Sequence, residues 1–226
     1  MHSSGPAVDL YWLPLGAGGH SVRFSGKVFE AIAARLETRA AQDLFHSALV
    51  VTVPEGPFVI EQAPAKGRGA ERGVVAAGPV GARWAGRLPL FRYEIRRWHG
   101  GVIPDIAEAV ESPQRLTDDL SLARAVLDLV PVVPTPVWGR DGLRAGEMWN
   151  SNSFIAWILF RAGVDADEVH PPRGGRAPGW QAGVNVARRN GAERSHGNRK
   201  PRRSGAFYGA DDGTRTHDLL HGKQTL

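Results

Sequence analysis

Trp149-Asn150-Ser151-Asn152-Ser153-Phe154 stands where a loop gives way to an apolar run, Phe154 to Ala162. The run is spaced for a buried helix over Ser153 to Ala162, closed by Gly163 just past its end. A small hydroxyl residue at such a helix opening has two readings. It can be an N-cap, which is worth about 1 kcal/mol. It can also be an attacking atom, because a helix N-terminus exposes unpaired N–H groups and partial positive charge that favour a developing anion. Working outward, two upstream segments give the second reading its partners. His46 opens the β-branched run His46 to Val53, and Glu61 closes the run Phe58 to Gln62. The intervening Pro54-Glu-Gly-Pro57 predicts a turn, so the two runs form a hairpin.

The remaining segments are read in the same way. Asp9 to Leu15 predicts a short buried strand, followed by a turn at Gly16 to Gly19 that lacks the spacing of a dinucleotide site. Phe29, Ile32, Ala33 and Leu36 recur at helical spacing, so Lys27 to Arg39 is expected to be an amphipathic helix. Ala63 to Gly73 reads as a loop, Val74 to Val80 as a short strand and Leu88 to Trp98 as a longer one. Pro104 to Val110 begins like a helix. Asp119 or Ser121 is expected to cap a helix that runs to Val130 and is stopped by Pro131, Pro134 and Pro136. Strands and helices mix without βαβ alternation, which predicts an α+β fold: a small antiparallel sheet packed on helices.

Composition limits the chemistry. The 226 residues include seven Trp and no Cys, which excludes disulfides, thiolate catalysis and Cys-ligated metal. No His pair has metal-ligand spacing on a helix, and neither a metal nor a cofactor is expected. No leader segment and no run long enough to span a bilayer are read in the sequence, so a cytoplasmic protein without a membrane span is expected. The net charge of +5 is concentrated at one end: residues 1–186 hold 19 basic and 19 acidic residues, and residues 187–226 hold nine basic against four acidic. All seven Trp precede residue 187. The expected organisation is one α+β domain over 1–186 and a disordered basic tail over 187–226. Such a tail would bind nucleic acid only weakly and non-specifically through phosphates. Its end, Gly209 to Leu226, resembles the peptide produced when a reading frame continues into a stable-RNA gene.

The order of His strand, carboxylate strand and Asn-Ser-Asn helix opening resembles the circularly permuted papain-like superfamily, the permuted NlpC/P60 and lecithin–retinol acyltransferase relatives. Their helix opens with Asn-Cys-Asn or Asn-Cys-Glu before an aromatic or apolar residue, and Asn150-Ser151-Asn152 preceding Phe154 matches with Ser in the cysteine position. His46-Ser47-Ala48-Leu49 is similar to their His motif, and Phe58-Val-Ile-Glu61 to the strand after it. The resemblance covers roughly residues 9 to 165 and implies a permuted papain-like fold. It also implies Ser151 as nucleophile, His46 as base, Glu61 as the group that orients it, and Asn150, Asn152 and Ser153 as oxyanion or positioning groups. Trp149 would wall the groove, and His20 is a rival base. An aliphatic hydroxyl does not ionise in a site built for a thiolate and needs a base during attack. Two functions follow: a non-catalytic or weakly active relative that keeps the groove to bind a peptide, lipid or small acyl group, or a Ser-His-Glu hydrolase or acyltransferase acting on an amide or ester.

Overall fold

Along Phe45 to Val53, Phe45, Leu49, Val51 and Val53 enter one apolar core, whereas Ala48 enters another with Leu13, Val59 and Ile103. Side chains alternate between the two faces of a strand, so this one strand divides the molecule into two sides. The computed structural model describes residues 5–15, 43–65, 73–88 and 91–197. Among these, the strands are β1 (Ala7–Pro14), β2 (Asp43–Val53), β3 (Gly56–Pro64), β4 (Val74–Pro79), β5 (Arg92–His99), β6 (Val110–Thr117) and β7 (Gly175–Arg176). The helices are α1 (Leu120–Leu129), α2 (Ser151–Ala162) and α3 (Trp180–Gly197). The strand order is β4-β5-β3-β2-β1-β6, antiparallel throughout, and the two-residue β7 adds a parallel pairing to the start of β2. The fold is mixed α+β, an antiparallel sheet with helices on one face.

β1, β2, β3 and β4 form close to their expected places, and Leu49 pairs with Ile60 in the β2–β3 hairpin. β5 begins at Arg92, later than the expected Leu88, because Ala85 to Phe91 closes a series of tight turns. β6 corrects the reading of Pro104 to Val110 as the start of a helix. Only a single 3-10 turn forms at Ile106–Glu108, and the chain then runs extended beside β1. Pro113 sits inside that strand, which is admissible because β6 is a sheet edge and needs to offer hydrogen bonds on one side only.

Asp119 caps α1 by accepting from the Leu122 N–H. α2 starts two residues earlier than its apolar spacing suggests, because Asn150 rather than Ser151 is its cap. The expected boundary between residues 186 and 187 falls inside α3, where Val184, Val186 and Ala187 are buried in the main core. The folded unit therefore runs past that boundary. α3 lies against α2 through a small residue: a Cβ on Gly183 would come within 2.1 Å of the Ser153 carbonyl oxygen. Trp12 and Trp180 meet with ring centroids 5.2 Å apart and tie α3 to β1 across the core.

Candidate functional site

The opening of α2 is held on three sides. Asn150 Oδ1 accepts from the Asn152 N–H at 2.9 Å and the Ser153 N–H at 3.2 Å, and Ser153 Oγ in return accepts from the Asn150 N–H at 3.1 Å. This reciprocal cap satisfies three of the donors that a helix start otherwise leaves free, the N–H groups of Asn150, Asn152 and Ser153. Ser153 Oγ donates to the Met148 carbonyl, and Asn150 Nδ2 donates to the Pro178 carbonyl at 2.8 Å. Asn152 reaches the sheet. Its Nδ2 donates to the carbonyls of Phe45 (2.9 Å) and Pro178 (3.0 Å), and its Oδ1 accepts from Ser47 Oγ at 2.9 Å. Two carbonyls can only accept, so the orientation of this amide is fixed by its partners.

The third side is the chain before α3. Gly179 adopts φ +85°, and its N–H donates to Glu147 Oε2 at 2.8 Å. A side chain there would meet Asn150 Oδ1, Met148 O and Ser153 Oγ, each at 2.7 Å. Trp149 is fully buried in the main core and does not wall a groove.

Ser151 lies at the start of α2 and is 8% exposed. Its expected partners are not beside it. The residue of β2 that faces α2 is Ser47, and His46 shares the opposite face with Ala48 and its cross-strand partner Leu13. No hydrogen bond links His46 to Ser151 or to Glu61 among the described residues. Burial pushes the His46 imidazole down to about 4, and the Asp105 carboxylate offsets only part of that. An imidazole so weakly basic is poorly matched to taking a proton from a hydroxyl near neutral pH.

Glu61 also lies on the face away from the helices. It pairs with Arg96 across the β3–β5 ladder, and Arg96 Nη1 donates to Glu61 Oε1 at 2.7 Å. Arg96 Nη2 donates to Glu94 Oε2 at 2.9 Å, and all three residues are buried. Glu61 is thus committed to Arg96 and not to His46. The structure gathers Asn150, Asn152 and Ser153 with Ser151, and it separates them from His46 and Glu61. His20, the turn at Gly16 to Gly19, the helix expected over Lys27 to Arg39 and residues 198–226 of the basic tail lie outside the described residues.

Sequence reasoning missed Ser47, the Pro178 carbonyl and the Glu94–Arg96 pair. For Ser47 the signal was present: Phe45, Ser47, Leu49, Val51 and Val53 form the more apolar of the two alternating sets, which puts Ser47 on the core side and His46 on the other. Among the described residues no three His, Asp or Glu side chains gather as metal ligands. No helix among them is long and apolar enough to cross a membrane. Compared with protein-family models, curated proteins and solved structures, the chain finds no match.

Proposed function

We propose that this chain is a non-catalytic binding scaffold, a relative of the permuted papain-like proteins in which the helix opening has become a structural latch. The observation that carries the reading is the state of the Asn152 and Ser153 N–H groups. Both point at Asn150 Oδ1 and are already satisfied. An oxyanion site needs preorganised donors aimed at empty space where charge develops, not donors consumed by a cap. The Asn150 and Asn152 side-chain amides are likewise spent on the carbonyls of Phe45 and Pro178. A Ser-His-Glu hydrolase would need these groups free and His46 within hydrogen-bond reach of Ser151.

The test is covalent labelling of the folded chain with a fluorophosphonate, beside Ser151→Ala and His46→Ala. The scaffold reading expects no label on Ser151 and the same background in all three proteins. Stoichiometric labelling at Ser151 that is lost in His46→Ala would overturn it in favour of the hydrolase.

A further inference from the structure

Residues 80–88 and Phe91 form a braced segment that is apolar on the wrong side. Its ends are joined by the Val80 N–H donating to the Phe91 carbonyl at 2.8 Å. Inside, successive turns are fixed by Ala85 N–H to Ala82 O (3.1 Å), Leu88 N–H to Ala85 O (2.9 Å) and Phe91 N–H to Leu88 O (3.0 Å). Its base is tied to Trp138, whose N–H donates to the Pro79 carbonyl at 2.9 Å. Among its described residues only Ala85 is buried, and the large ones turn outward: Trp84 is 73% exposed, Leu88 53% and Phe91 43%. Scattered apolar residues on a surface need no explanation, but three on one braced loop mark a contact site.

The charged residues within the segment all have one sign. Arg83, Arg87 and Arg92 are exposed, and no acidic residue occurs between Gly81 and Arg92. None of the three guanidinium groups has an ion-pair or hydrogen-bond partner among the described residues. Three exposed cations interleaved in one segment with a Trp, a Leu and a Phe fit a partner that is anionic at its surface and hydrocarbon just beneath. A single-stranded nucleic acid would engage the guanidinium groups and the two rings, but it offers an aliphatic side chain such as Leu88 no stacking face. The bilayer boundary uses all six residues, with Trp at the depth where its ring is preferred.

We propose that Gly81–Leu88 together with Phe91 and Arg92 is a peripheral membrane-docking site that seats on anionic lipid headgroups, with Trp84, Leu88 and Phe91 entering the interface and Arg83, Arg87 and Arg92 holding the lipid charges. This site is separate from the latch at α2 and stands whether or not Ser151 is reactive.

The test is co-sedimentation of the full chain with vesicles of phosphatidylcholine alone or with about 30 mol% phosphatidylserine at moderate salt. Two variants are compared with the unmodified chain: Trp84→Ser/Leu88→Ser/Phe91→Ser, and Arg83→Glu/Arg87→Glu/Arg92→Glu. The basic residues after 197 remain in every protein. Binding is expected only to the phosphatidylserine vesicles, and each variant is expected to reduce the partition coefficient at least tenfold with an unchanged thermal midpoint. As a second readout that does not depend on large substitutions, vesicles with brominated acyl chains should quench part of the tryptophan fluorescence, and that part should vanish in Trp84→Phe. Failure to bind the anionic vesicles, binding that survives both variants, or quenching unchanged in Trp84→Phe overturns the proposal. Tight binding of polyuridylate that is lost in the same variants, without vesicle binding, overturns it in favour of a nucleic-acid site.

Discussion

Two buried polar clusters, one on each face of the sheet, are held together in opposite ways. On the helix face, Ser47, Asn150, Asn152 and Ser153 are neutral and their hydrogen bonds close on one another and on backbone carbonyls. On the other face, Glu61, Glu94 and Arg96 are charged, and the Arg96 Nε–H has no partner. A neutral network that is fully satisfied holds a helix end in one position at little electrostatic cost. A buried cluster of two carboxylates and one guanidinium is held together only as long as every member stays. The comparison separates two meanings of a conspicuous polar residue. Asn152 is conspicuous because it is a latch between layers, and Glu61 because it neutralises a buried cation.

The largest effect is therefore expected on the charged face. Arg96→Met leaves two carboxylates buried without their cation and should destabilise the fold by about 3–5 kcal/mol, read from urea unfolding midpoints. Replacing all three members with apolar residues, Glu61→Leu/Glu94→Leu/Arg96→Met, should recover most of that loss, since burial of an ion cluster and burial of well-packed hydrocarbon are close in free energy. If Arg96→Met alone changed stability by less than about 1 kcal/mol, the cluster would be hydrated and the contrast between the faces would fail.

Asn152→Ala comes next. It strands Ser47 Oγ and the Phe45 carbonyl, while the Pro178 carbonyl keeps Asn150. Two buried groups without partners predict a loss of about 2–4 kcal/mol. Asn152→Asp is the sharper variant. It matches the shape but sets a carboxylate oxygen against two carbonyls, so it should be at least as damaging as Ala. An aspartate variant as stable as the parent would show that the side chain does not donate in the way the latch requires.

How far the sequence was legible follows the same division. The β2–β3 hairpin and the existence of α2 were readable because their signals are local, β-branched runs around a Pro-Gly turn and an apolar run closed by Gly163, whereas the start of α2 was set two residues late because its cap is Asn150. β6 was hidden because Pro113 and its polar neighbours argue against a strand until the sheet edge is known. α3 was hidden because its contact with α2 is made by Gly183, and a glycine approached this closely looks in sequence like a helix breaker. The candidate site was legible in its residues and not in its facing. Asn150, Ser151, Asn152 and Ser153 do gather, but His46 turns away, since one residue along a strand reverses the side to which a side chain points.

That reversal leaves a small, measurable trace in acid. His46 sits on the face opposite the latch, and its imidazole is held down at about 4 by burial, against an ordinary value of 6.5, with Asp105 pulling the other way. The folded chain therefore resists protonation of His46 more than the unfolded chain does. Its contribution is complete above about pH 6.5 and is lost as the pH falls toward about 4, because the unfolded state binds the proton first. The loss should be about 1–3 kcal/mol, toward the lower figure because the ring keeps some solvent contact. Carboxylates titrate in the same window, so the informative quantity is the difference between the parent and His46→Gln. The stability-against-pH curves should run parallel above pH 6.5 and converge below it as the parent loses its advantage. If the two curves stayed parallel down to about pH 4, the ring would be open to water. The face opposite α2 would then be less closed than the Glu61–Arg96–Glu94 cluster requires.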